Sequence, residues 1–153
     1  MLVEVNDTVI LVDSGPDIRN QLIPLGIKKI DALLITHTHS DHVAGLDDLR
    51  AFYWPDRNDI PVLATKQHSL EILARFPYLF TKLVESPSYF VPPMKIQIIT
   101  AGDQLNIGGC QIDVLHQDHG NTDSLGFLFD QKFGYSTDVV GMSDEVFDKL
   151  AGI

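Results

Sequence analysis

Ala32-Leu33-Leu34-Ile35-Thr36-His37-Thr38-His39-Ser40-Asp41-His42 is the stretch on which the reading of this chain turns. The apolar run Ala32 to Ile35, bounded by polar residues, predicts a buried strand, so the histidines emerge at its end on a loop where several side chains can converge on one point. Three imidazoles and a carboxylate then lie between His37 and His42. Neutral imidazole nitrogens bind borderline-soft ions such as zinc at about 2.0–2.1 Å, and an adjacent carboxylate allows a second ion to sit beside the first. A lone histidine is usually an ordinary core or surface residue. Four potential ligands on one strand-end loop point to a metal site. His37 and His39 are two apart on an extended segment, so they project to the same side and can reach one ion.

Composition narrows what such a site can serve. The 153 residues are one domain by length, enough to bury close to about 70% of the unfolded surface. Hydrophobic residues make up 44%, yet no apolar run approaches the roughly 20 residues that span a bilayer. Met1 to Asp13 carries an acid at Glu4 and no basic residue, unlike a secretory leader, and the chain reads as cytoplasmic. Cys110 stands alone; it has no internal disulfide partner, and its place in Gly108-Gly109-Cys110-Gln111 before an apolar run fits a small buried residue. The formal charge of −10 disfavours a nucleic-acid surface, which needs clustered Lys and Arg. Divalent ions would make the site itself locally positive, so a small anionic substrate remains compatible with an acidic exterior.

Along the chain, Asn6-Asp7 predicts a hairpin turn between strands Leu2 to Val5 and Thr8 to Val12. Pro16 opens a helix with Ile18, Leu22 and Leu25 at helical spacing, and Gly26 stops it. Asp31 to Thr36 is a strand, and Val43 to Tyr53 a helix with Leu46, Leu49 and Tyr53 on one face, ended by Pro55. Pro61 to Ala64 is a strand; Thr65 caps a helix reaching about Arg75 and carrying Leu70, Leu73 and Ala74, with His68 an exposed or partner-bonded residue in its first turns. Phe76 to Pro93, rich in aromatics including Tyr78, Phe80 and Tyr89, reads as a covering loop. Strands follow at Ile96 to Thr100, Gln111 to Leu115, Leu125 to Phe129 and Phe133 to Ser136. Ser143 caps a last helix, Asp144 to Leu150, with Val146, Phe147 and Leu150 inward. Alternating helices and strands favour an α/β (α+β) sheet sandwich flanked by helices.

His37-x-His39-x-Asp41-His42 followed by Gly45-Leu46 resembles the signature of the metallo-β-lactamase fold hydrolases. Three further blocks stand in that family's order. Ile10 to Asp17 resembles the preceding strand and turn, with Asp13 in the place of an aspartate that supports the ligand loops. His119, in Gln117-Asp118-His119-Gly120, falls at the next metal histidine, and Asp138, in Tyr135-Ser136-Thr137-Asp138, at the carboxylate that bridges two ions. Asp47 to Arg50, Arg75 to Tyr78, the Gln117 to Gly120 block and Ser124 to Phe127 are similar to the phosphoribosyl cyclic phosphate phosphodiesterases.

The resemblance implies an αββα sandwich and a binuclear site for zinc or manganese. His37, His39 and His119 would hold the first ion, Asp41 and His42 the second, with Asp138 giving an oxygen to each. It implies a hydrolase cleaving a small cyclic or open phosphodiester by a metal-bound hydroxide, with Asp41 orienting the attack and Asp138 at the reacting centre. Asp118 could fix the tautomer of His119 and Asp13 that of a signature histidine, while His116 lies off the family's ligand positions. A ribonuclease, lactonase, thioesterase or β-lactamase reading shares the same centre, and a metal-binding fragment without turnover is the alternative outside enzymes. The family places one more metal histidine towards the end of its domain, whereas no histidine follows His119 here. The expectation is therefore a partial domain, 1–153, lacking the first strand and the C-terminal part, with one firm and one weak ion. Uncovered sheet edges would favour a homo-oligomer.

Overall fold

Asn6 takes φ 53, the left-handed conformation that a two-residue hairpin turn requires and asparagine tolerates. It joins β1 (Leu2–Val5) to β2 (Thr8–Val12), whose register pairs Val5 with Thr8. The computed structural model describes residues 1–54, 58–82, 86–87 and 90–153; Pro55 and Tyr89, singled out above, lie outside them. From β2 the sheet grows by parallel pairing through β3 (Ala32–Leu34), β4 (Ile60–Ala64) and β5 (Met94–Ile98), in the order β1-β2-β3-β4-β5. Each parallel crossover contains helix: α1 (Ile18–Leu22), α2 (Ser40–Val43) with α3 (Leu46–Leu49), and α4 (Lys66–Arg75) with α5 (Pro77–Phe80).

Strands buried on both faces read as unbroken apolar runs, and this is why Ile10-Leu11-Val12 and Ala32-Leu33-Leu34 do not alternate. Leu11 and Leu33 face the helices, in a cluster with Ile18, Leu46, Leu49 and Ile72. Ile10, Val12, Ala32 and Leu34 face the second sheet and pack with Ile112, Val114, Leu125 and Phe127. That sheet is an antiparallel meander of β6 (Gln104–Ile107), β7 (Cys110–Asp118), β8 (Asp123–Phe129) and β9 (Phe133–Tyr135). Its outer face is covered by α6 (Asp144–Ala151), where Val146 meets Leu115 and Leu128. The layers are helix, sheet, sheet, helix, the α/β sandwich that the sequence pattern predicts. Cys110 is buried and free. No described helix is long and apolar enough to cross a membrane.

Several local expectations are corrected. The helix expected over Val43 to Tyr53 is broken into α2, α3 and a 3₁₀ turn at Arg50–Phe52. The break is at Gly45, whose amide is taken by the Ser14 carbonyl at 2.9 Å, and where a Cβ would stand 2.1 Å from the Gly15 carbonyl oxygen. Leu46, Leu49 and Tyr53 are buried nonetheless. Leu25 is exposed because α1 ends at Leu22. On α4 the inner residues are His68, Ser69 and Ile72, whereas Leu70 and Ala74 face solvent. Phe147 is likewise exposed on α6. The start of the expected covering loop forms α5, and β6 is a strand beyond those that the sequence pattern predicts.

The two sheets are joined close to the histidine loop. Leu125 of β8 donates its amide to the Thr36 carbonyl at 3.0 Å, so the segments carrying His37, His119 and Asp138 are held within one framework.

Candidate metal centre

Asp13 follows β2 with φ 60, an uncommon conformation for a residue with a side chain. Its amide donates to the Leu34 carbonyl at 2.9 Å, and its carboxylate lies under the end of β3. Oδ1 accepts the Thr36 amide at 2.9 Å and Oδ2 the Thr36 hydroxyl at 2.9 Å. His42 Nδ1 approaches the same Oδ2 at 2.7 Å. Since the Thr36 proton goes to Asp13, the Thr36 oxygen is free to accept from His37 Nδ1, 3.0 Å away. The network therefore assigns Nδ1–H to both His37 and His42, leaving each Nε2 with a bare lone pair.

Each of those nitrogens meets further donors. His39, extended at the start of α2, brings Nδ1 to 3.0 Å from His37 Nε2. His119, just beyond β7, puts Nε2 3.2 Å from the same His39 nitrogen. Asp138 extends Oδ2 into the group, 3.5 Å from His37 Nε2 and 3.7 Å from His119 Nε2. The same oxygen lies 3.3 Å from His42 Nε2, and Asp41 Oδ2 lies 3.4 Å from that nitrogen. Ligands about 2.0–2.1 Å from a tetrahedral ion stand about 3.3–3.4 Å apart. The close approaches within the first group, 3.0 to 3.7 Å, bracket that spacing. His37, His39, His119 and Asp138 could hold one ion, and Asp41, His42 and Asp138 a second. The donor set and its spacing fit divalent metal.

Charge in the site follows from this packing. Burial, with the neighbouring His42 and His39 rings, pushes His37 down to about 4, so its imidazole is neutral near pH 7. His42 is raised, first by its hydrogen bond to Asp13 and against the effect of burial. Burial opposes ionisation of Asp138, but the Thr137 hydroxyl, 3.0 Å from Oδ1, and the His42, His37 and His119 rings together hold it below the usual carboxylate range. Asp138 also has φ 51. Backbone held in this conformation at a cluster of charged groups is a common mark of a functional site.

Every residue expected to coordinate metal thus lies in one of two groups that share Asp138. One other expectation fails. Asp118 does not set the His119 tautomer; its Oδ1 accepts the Gly120 amide at 2.8 Å and shapes the turn. His116 lies outside both groups, in line with its place off the family's ligand positions; it is exposed and pairs with Asp123 at 3.2 Å. His68 is partner-bonded rather than exposed: its buried ring hydrogen-bonds the Asp123 backbone, while its Nδ1 has no hydrogen-bond partner.

Residues that sequence reasoning passed over include Thr36, which relays Asp13 to His37, and Thr38, which is held by α4. The Thr38 hydroxyl donates a short hydrogen bond to Glu71 Oε2, which holds Glu71 below its ordinary range. The signal for Thr36 was available as a hydroxyl directly before the first ligand. A pocket of about 500 Å³ between α1 and α3, lined by Leu22, Ile23, Leu49 and Trp54 among others, lies apart from these groups and shares no residue with them.

The family model of the beta-lactamase superfamily domain matches residues 8–153. An octanoyltransferase of Porphyromonas gingivalis is 31% identical over 141 residues, 92% of this chain but 27% of that protein. A ribonuclease Z of Bradyrhizobium diazoefficiens is 29% identical over 132 residues, 84% of this chain and 42% of that protein. A solved structure described as a new diphosphatase from the PhnP family superposes with a TM-score of 0.72 at 27% identity, covering 84% of this chain and 46% of that one. The chain spans less than half the length of each.

Proposed function

This chain belongs to the beta-lactamase superfamily, and from that membership we propose a metal-dependent hydrolase that cleaves a small cyclic or open phosphodiester. The observation that carries the reading is the pair of donor groups meeting at Asp138 Oδ2, within 3.3–3.7 Å of His42, His37 and His119. A pair of divalent ions there would supply Lewis acidity and an ionisable water with a pKa near neutrality.

The chain's own groups supply the rest. Asp13, through Thr36 and His42, keeps two imidazoles in the tautomer that presents Nε2. Asp138 sits between the two sets of nitrogens and would offset the charge of the ions they hold. Asp41, exposed beside His42 Nε2, would help to hold the second ion and could orient the attacking water. The acidic exterior favours a small anionic ester over a polynucleotide, because −10 formal charges repel a long phosphate backbone. The likeness to a PhnP-family diphosphatase supports a phosphoester substrate.

A second reading, a ribonuclease, is favoured by the ribonuclease Z relatives. One panel separates these and the lactonase, thioesterase and β-lactamase readings. Zinc- or manganese-loaded protein is assayed on bis-p-nitrophenyl phosphate, a ribose cyclic phosphate, precursor tRNA, a lactone, a thioester and nitrocefin, with His39→Ala as control. Hydrolysis of the small phosphodiesters, abolished by His39→Ala, is the expected result. Turnover confined to precursor tRNA or to a carbonyl substrate would overturn the substrate assignment.

A further inference from the structure

We propose that Glu71 and Arg75 of α4 are positioning residues for the bound ion, acting through Thr38, the residue between His37 and His39. The inference rests on the metal-centre reading above and adds an element to it.

Neighbours on an extended segment point to opposite sides, so while His37 and His39 turn towards the donor group, Thr38 turns away from it. It turns onto α4. Its hydroxyl donates to Glu71 Oε2, and its carbonyl accepts from Arg75 Nη1 at 2.6 Å. Arg75 Nη2 also reaches Ser40 Oγ at 3.5 Å. Glu71 is itself steadied by Gln67 Nε2, 3.2 Å from Oε1. Gln67, Glu71 and Arg75 are spaced one turn apart and so form a single row along the helix. The helix is a firm base: Thr65 caps it by accepting the His68 amide at 3.1 Å, and Ile72 is fully buried in the core.

The hydroxyl and the carbonyl of Thr38 are therefore both tied to one rigid element. Holding the peptide between two ligands fixes the separation of their rings, here 3.0 Å between His37 Nε2 and His39 Nδ1. Partners that orient ligands typically contribute 10- to 100-fold in metal affinity.

The test is zinc affinity by competition with a chromophoric chelator, together with the visible absorption bands of the cobalt-loaded protein. The variants are Glu71→Ala, Glu71→Gln, Arg75→Ala, Arg75→Lys and Thr38→Val, with Leu70→Ala, exposed on another face of α4, as control. Glu71→Ala and Arg75→Ala are expected to weaken zinc binding by about tenfold or more and to shift the cobalt bands. Glu71→Gln still accepts from the Thr38 hydroxyl and Arg75→Lys still donates to its carbonyl, so each retains most of the affinity. Thr38→Val is expected to match Glu71→Ala, and the double variant to lose no more than either, as residues acting through one contact do. A melting temperature lowered in the alanine variants with affinity and cobalt bands unchanged would overturn the proposal while leaving the metal centre standing. A wild-type protein that takes up no zinc would overturn both.

Discussion

Asp13 Oδ2 and His42 Nδ1 lie 2.7 Å apart, and the far nitrogen of the same ring is 3.3 Å from Asp138. One imidazole thus connects the carboxylate beneath the loop to the carboxylate shared by both donor groups. Asp13 accepts from the Thr36 amide, the Thr36 hydroxyl and His42 together. An amide in its place can accept through only one atom. Asp13→Asn is expected to cost about 1–3 kcal/mol in urea unfolding and to weaken zinc binding about 10- to 100-fold. Unchanged affinity would show that Asp13 does not set the ligand tautomers.

Gly45 separates α2 from α3 because its Cα lies against the Gly15 carbonyl, which a Cβ would meet at 2.1 Å. The Gly15 backbone, with the buried Ile18 Cγ2 at 2.6 Å from that Cβ, leaves little room to adjust. Gly45→Ala is expected to destabilise the fold by about 1–3 kcal/mol. At Gly152 the nearest atom to an added Cβ is 3.6 Å away and φ is −83, so Gly152→Ala is expected to be near neutral. Equal midpoints for the two variants in denaturant would contradict the packing described.

Stability of the metal-free protein should depend on pH through His68. Burial lowers its pKa in the folded state, while Glu71, Asp123 and Asp13 oppose the shift. Unfolded, the ring takes up a proton near pH 6.5; folded, it does so only at lower pH. The unfolded state therefore binds more protons below about 6.5, and stability falls as pH falls through that value. His42, with its raised folded pKa, works in the opposite sense. Comparing His68→Gln with wild type isolates the one group. The difference in unfolding free energy should move towards the variant between pH 7.5 and 5, by at most about 1.4 kcal/mol per pH unit. A pH-independent difference would mean that His68 titrates alike in both states.

Much of this architecture was legible in the residues because single local causes dominate. Asn6-Asp7 turns the first hairpin, Ala32 to Ile35 is too apolar for any surface element, and Thr65 and Ser143 cap their helices through the His68 and Val146 amides. The ligand loop was legible for the same reason, since four of its donors are consecutive or nearly so. His119 and Asp138 could be placed only by resemblance, because nothing local says that strands β7 and β9 end beside β3. What stayed hidden depends on contacts distant in sequence. The break at Gly45 is made by Ser14 and Gly15. The inward turn of His68 and the outward turn of Leu70 follow from how α4 lies on the sheet, against the apolar pattern of the helix itself. The hold of Glu71 and Arg75 on Thr38 spans more than thirty residues.

The central claim is that imidazoles and carboxylates from separate parts of the chain form one metal centre of two adjoining donor groups, and zinc titration tests it most directly. Protein stripped with chelator and dialysed is titrated in competition with a zinc indicator, alongside His37→Ala and His119→Ala. One zinc bound tightly and a second more weakly, with the tight site lost in either variant, is the predicted result. No tight binding by the wild type, or a tight site that survives in His119→Ala, would contradict the account.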